Sequence, residues 1–170
     1  MKTSQLITTI ACTFMMLVSF NVEAQEFRGL DKSPMDLAAF PARGAEKLIK
    51  VYYSRPQLNG RDVKSLTQKD KVWRTGANEP TEVVLLVDMK LGGTLLKAGT
   101  YSLTTMPGDT EWTVLLKSAS SKDAVASITV PATEGKDSLE AFSIAFEKSD
   151  DGVHLHMGWG TIRVAVPFVK

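Results

Sequence analysis

Beyond Ala42 no stretch of this chain holds apolar residues at helical spacing over several turns. Instead, short β-branched and aromatic runs alternate with clusters of Gly, Pro, Asn and Asp, the pattern of strands joined by tight turns. Leu48 to Tyr53 is such a run, stopped by Ser54-Arg55-Pro56 because proline cannot donate to a ladder. Thr81 to Leu91 reads as one long strand, with Val83 to Val87 apolar on both faces as a central, covered strand would be. Gly92-Gly93 suits a hairpin needing positive φ. Gly99 to Met106 and Trp112 to Lys117 flank the turn Pro107-Gly108-Asp109, and Val125 to Val130 is expected to end at Pro131. Phe142, Ile144 and Phe146, then Val153, Leu155 and Met157, then Ile162, Val164 and Val166 each alternate with smaller or polar residues, the last set stopping before Pro167. Eight or nine strands with a turn about every ten residues imply an all-β fold, an antiparallel β-sandwich with a jelly-roll-like layout among its forms. One helical turn is expected near the mature N-terminus, where Ser33 and Pro34 have the form of an N-cap and first helical residue and Pro41 closes the segment.

The first residues supply an address. Lys2, an apolar stretch from Leu6 to Phe20 and Asn21-Val22-Glu23-Ala24 follow the basic, apolar, small-residue order of a secretory signal, with cleavage expected after Ala24. The apolar stretch is too short and too interrupted to span a bilayer, which needs about 20 apolar residues. The expected organisation is a signal peptide at 1–24, an N-terminal extension at 25–42 and a single β-sandwich domain at 43–170, exported to the periplasm or the exterior and free of the membrane once the signal is removed. The only cysteine, Cys12, lies inside the signal, so the mature chain has no thiol and no disulfide, and a packed core must stabilise it. A formal charge of +1, with acidic and basic residues intermixed, leaves no basic stripe and so no electrostatic footprint for a nucleic acid.

One region gathers chemistry. Tyr53, Arg55, Arg61, Trp73, Arg74, Asn78 and Glu79 crowd into the connections between the first two long strand signals. Loops on a rigid β scaffold are where sites usually lie. Guanidinium groups offer planar paired donors to carboxylate, phosphate or sulfate, and a neighbouring aromatic ring can stack on a sugar. The alternative is structural: the same arginines can pair with Glu79, Asp62 and loop carbonyls and tie an irregular connection onto the scaffold. His154 and His156 share a strand face, but no third ligand stands near them in sequence and the solvent-facing reading outweighs a metal site, so neither metal nor other cofactor is expected. No Gly-x-Ser-x-Gly elbow, His-Glu-x-x-His or phosphate-cradling glycine loop is present.

Several stretches resemble a known family. Ser33 to Ala38 with Pro41-Ala42-Arg43, Tyr53-Ser54-Arg55-Pro56, Gly60-Arg61, Lys71 to Thr81, Ala98 to Leu103 and Glu111 to Val114 are similar, in the same order, to the exported bacterial family catalogued as domain of unknown function 2911. The resemblance implies a bacterial, exported, mostly β domain with no established activity, and it supplies no catalytic residues. It departs at Asp62 to Leu66, where family members carry an apolar Ile-Phe-Gly turn, and His154 and His156 look particular to this chain.

Three functions follow as expectations. The first is a non-enzymatic module that binds a small anionic or sugar-like ligand at the arginine-rich loops. The second is a hydrolase of cell-envelope or polysaccharide material with Glu79 as acid or base, which requires a second carboxylate or water-activating group nearby. The third is a structural or protein-interaction domain, which requires an exposed apolar patch or an open sheet edge.

Overall fold

The computed structural model describes residues 26–27, 29–118, 120–121 and 123–170. The expected signal peptide and Cys12 lie outside the described residues. Contacts divide the chain at residue 30, and the unit Asp31–Lys170 carries every strand among the described residues. In chain order these are β1 (Met35–Phe40), β2 (Ile49–Ser54), α1 (Val63–Leu66), β3 (Thr81–Leu85), β4 (Met89–Leu91), β5 (Thr94–Leu96), β6 (Gly99–Pro107), β7 (Glu111–Ser118), β8 (Ala126–Lys148) and β9 (Gly152–Val169). They form one nine-stranded sheet in the order β1-β2-β3-β6-β7-β8-β9-β4-β5. Every pairing is antiparallel, as the alternation of the sequence implies.

The long β8 holds the sheet together. Its first part, through Pro131, pairs with β7, and from Ala132 onward it pairs with β9. Pro131 therefore does not end the strand; it stands where the β7 ladder gives out, the edge position a residue without an N–H can occupy. Pro167 likewise lies inside β9 rather than beyond it. Two register shifts, between Glu134 and Leu139 and between Leu139 and Ser143, bend the β8–β9 ribbon. At that bend the chain beyond β2 meets β8: Gln57 bridges Ala141, Phe142 N–H donates to Pro56 O (2.9 Å), and Leu58 N–H donates to Glu140 O (2.9 Å). The sheet thus curls back on itself around one core. Val51, Val83, Leu103 and Val114 come from its first half, and Phe142, Leu155, Val166 and Phe168 from its second.

Two local expectations change. The segment after Ser33 is not a helical turn but β1, which pairs residue by residue with β2 from Met35 with Ser54 to Phe40 with Ile49. Isolated helices shorter than about 12 residues are marginal, so six ladder partners outweigh a local capping signal. Asp31 Oδ1 takes the Ser33 N–H instead (2.7 Å). The run from Thr81 to Leu91 is two strands: β3 alternates buried Thr81, Val83 and Leu85 with exposed Glu82 and half-buried Val84, and the chain leaves the ladder at exposed Leu86. Asp88 secures the break by accepting from Lys97 Nζ (2.8 Å) and Ala98 N–H (2.9 Å). The Lys97 ammonium beside it holds the Asp88 carboxyl below its usual range. The β4–β5 hairpin turns through Gly92 and Gly93 at φ 55° and 82°, as the paired glycines require.

Candidate cleft beside the one-turn helix

The one-turn helix α1 forms where the sequence departs from the resembled family. Asp62 is its N-cap, with Oδ1 accepting from Ser65 N–H (2.7 Å), and the turn closes where Thr67 N–H donates to Val63 O (2.8 Å). Val63 is buried, leaving Lys64 exposed beside two neighbouring cavities. The first, about 260 Å³, is lined among others by Thr67, Lys69, Trp112, Thr133 and Pro107. The second, about 450 Å³, is lined among others by Leu58, Arg61, Val63, Ser138 and Thr161. Lys64, Glu134 and Ile162 line both. Lys69 is paired with Asp109, whose carboxylate holds the ammonium above its usual pKa while its own is held down by the lysine.

Beneath the cleft lies an aromatic cluster containing all three tryptophans. Trp73 stacks on Trp159 (centroids 5.5 Å apart, planes 14°) and meets Trp112 and Phe142 edge-on at 6.0 and 5.1 Å. Such offset and edge geometries suit the ring quadrupoles and add about 0.5–1.5 kcal/mol per pair beyond burial. Trp73 is brought here by an isolated bridge to Thr105. The loop that follows is plugged into the fold by buried hydroxyls: Thr81 Oγ1 donates to Thr75 O (2.8 Å), and Thr75 Oγ1 donates to Thr105 Oγ1 (3.1 Å).

The residues singled out from sequence do not converge on one cavity. Arg55 is half-buried and clamps separate strands: Nε donates to Phe142 O (3.1 Å), Nη1 to Asp36 Oδ2 (3.2 Å) and Nη2 to Ser143 Oγ (2.9 Å). Buried Tyr53 works beside it, its hydroxyl donating to Asp36 Oδ2 (3.2 Å) and accepting from Ile144 N–H (3.0 Å). Burial pushes the Tyr53 pKa up. Arg74 is exposed and donates to Asn78 O (2.8 Å), while Asn78 donates to Asp31 Oδ1 (2.9 Å) from a left-handed backbone at φ 55°. Glu79 is exposed and lines none of the cavities named here. Trp73 is half-buried in the aromatic cluster. Arg61 alone reaches the cleft, where it lines the second cavity; it donates from Nε to Leu58 O (2.9 Å) and from Nη2 to Gln57 O (3.2 Å), which leaves its Nη1 donors uncommitted.

Lys64, Lys69, Trp112, Glu134 and Ile162 are the cleft residues that sequence reading passed over. Asp62 three residues before Ser65 was a usable capping signal for α1, but nothing local links it to residues 132–134 or 160–162. The two histidines occupy half-buried positions on β9, with His156 Nε2 3.0 Å from Glu147 Oε2 across the β8–β9 ribbon. Among the described residues no group of three or more His, Cys, Asp or Glu is arranged to hold a metal ion.

The family model described as a protein of unknown function, DUF2911, matches residues 33–168. The chain belongs to this family. The DUF2911 match begins just before β1 and ends within β9, so the edge strand formed by residues first read as an extension lies inside the family's domain. No curated protein and no solved structure matches the chain. Among the described residues no helix is long and apolar enough to cross a membrane.

Proposed function

We propose that this domain is an exported, non-enzymatic module that binds a small anionic or sugar-like ligand, and that the ligand occupies the cleft beside α1. The observation that carries the reading is the pair of adjoining cavities of about 260 and 450 Å³, with Trp112, Val63 and Ile162 as apolar wall and Lys64, Lys69, Arg61, Thr67 and Glu134 as polar groups. Small-molecule sites combine apolar walls with a few convergent polar groups in this way. The ammonium and guanidinium donors suit an anion, and the mixture of donors with the Glu134 carboxylate suits a polyhydroxylated ring. Arg55 and Arg74 contribute as scaffold, through bonds to Phe142 O, Asp36 and Ser143 and to Asn78 O. Exposed Glu79, with no cavity beside it among those described, gives the hydrolase reading no support.

The test is a thermal-shift and tryptophan-emission screen of sugars, organic acids, phosphate and sulfate. A ligand at about 100 times its Kd adds roughly 2.7 kcal/mol to native stability. The reading expects a hit that also changes tryptophan emission and is lost in Lys64→Ala. A hit that survives Lys64→Ala and disappears in Arg74→Ala moves the site to the arginine loops and sinks the cleft.

A further inference from the structure

A third cavity, of different chemistry, lies elsewhere, along the free edge of the sheet. β1 is the end strand, and β8 pairs through Ile144 to Phe146 with β9 on its other side. Between these two strand edges runs a groove of about 560 Å³. Nine of the ten residues that line it are apolar, among them Leu37, Phe40, Pro41, Ile144 and Phe146, and the tenth is Lys47. Leu37, at its opening, is exposed.

An open groove between strand edges first suggests an added β-strand, but two of the backbone donors along it are already taken and a third position has none. Leu37 N–H donates to Asp36 Oδ1 (2.8 Å), Ile144 N–H donates to the Tyr53 hydroxyl (3.0 Å), and Pro41 has no N–H to offer. The walls of the groove are apolar side chains with one cation beside them. Lys47 Nζ donates one of its three N–H groups to Pro41 O and keeps two. From this charge complementarity we infer that the groove is a binding site for a free aliphatic monocarboxylate, with the hydrocarbon chain along β1 and β8 and the carboxylate on Lys47 Nζ. The volume falls within the roughly 300–1,000 Å³ of small-molecule sites. The site is separate from the cleft beside α1 and shares no lining residue with it.

Calorimetric titration with octanoate, decanoate and decanol tests the assignment. Each methylene that enters the groove tightens binding about fourfold, so decanoate should bind about fifteenfold tighter than octanoate. Lys47→Met should weaken decanoate at least tenfold while leaving decanol unchanged, and Ala145→Trp, at an exposed wall position, should block both ligands. Both variants should melt with the parent protein, and decanoate affinity should survive Lys64→Ala, which separates this site from the cleft. Decanoate affinity unchanged in Lys47→Met and Ala145→Trp overturns the inference. So does binding to phosphatidylglycerol vesicles without any binding of free decanoate, which would make the edge a membrane contact. A ligand-free dimer in sedimentation that Leu37→Asp dissociates would make the groove a contact between two copies and overturn it as well.

Discussion

Replacing Arg55 by alanine tests whether the arginines are scaffold. The guanidinium joins Asp36 on β1 to Phe142 O and Ser143 Oγ on β8, three bonds to partners 19, 87 and 88 residues away in sequence. A hydrogen bond to a charged group contributes about 1.5–3 kcal/mol when buried. The Arg55 side chain, however, is 36% exposed and Asp36 42%, so water can replace part of each bond, and the ion pair itself is worth less than about 1 kcal/mol. The net expectation is a loss of about 2 kcal/mol. At roughly 2–4 °C per kcal/mol for a chain of this size, Tm should fall by roughly 4–8 °C. Arg74→Ala is the control: it removes one exposed bond to Asn78 O and should cost no more than about 0.5 kcal/mol. Circular-dichroism melts of both variants decide the matter. An Arg55→Ala protein that melts with the parent, or an Arg74→Ala protein that falls as far as Arg55→Ala, refutes the assignment of roles.

Other outcomes follow from individual contacts. Gly152→Ala should destabilise by more than about 2 kcal/mol in urea titration, because the added Cβ would sit 2.0 Å from the Phe168 carbonyl oxygen on a rigid backbone. Tyr53→Phe strips the buried Ile144 N–H of its acceptor and should cost about 1–3 kcal/mol. The same residue shapes the alkaline limb of stability. Because burial raises its native pKa above the ordinary 10.0, its contribution is complete below about pH 10 and is lost as pH rises through the native value, so the parent's Tm should drop more steeply there than that of Tyr53→Phe. Trp73→Ala, which removes a stacked and two edge-on ring contacts, should cost about 3 kcal/mol, the low end for a large aromatic because the side chain is only partly buried.

Much of the fold was legible because strand formation leaves a local trace. Side chains alternate across a strand, so Phe142, Ile144 and Phe146, or Val153, Leu155 and Met157, announce which face turns inward whatever the partner strand is. Glycine pairs mark turns for an equally local reason, the positive φ seen at Gly92 and Gly93. The family match also rests on sequence order alone. Misreadings occurred where pairing overrode a local signal: a capping motif became β1 because β2 lay alongside, and prolines at 131 and 167 were absorbed into strands at positions their missing N–H could occupy.

The functional residues divide along the same line. Which side chains carry charge, and that Arg55, Arg61 and Arg74 stand close in sequence, was plain from the chain. What they do was not, because an arginine's role is set by the acceptor it meets. Arg55 meets β8, Arg74 its own loop, and Arg61 the carbonyls beside α1. The cavities are likewise products of distant segments, residues 58–69 against 107–112, 132–138 and 160–162 beside α1, and residues 37–47 against 144–146 at the sheet edge. The sequence by itself determined an antiparallel β domain and the facing of its strands, through periods of two and the chemistry of its turns. Only the tertiary structure decided where empty space remains and which charged groups border it, because those depend on contacts between residues far apart along the chain.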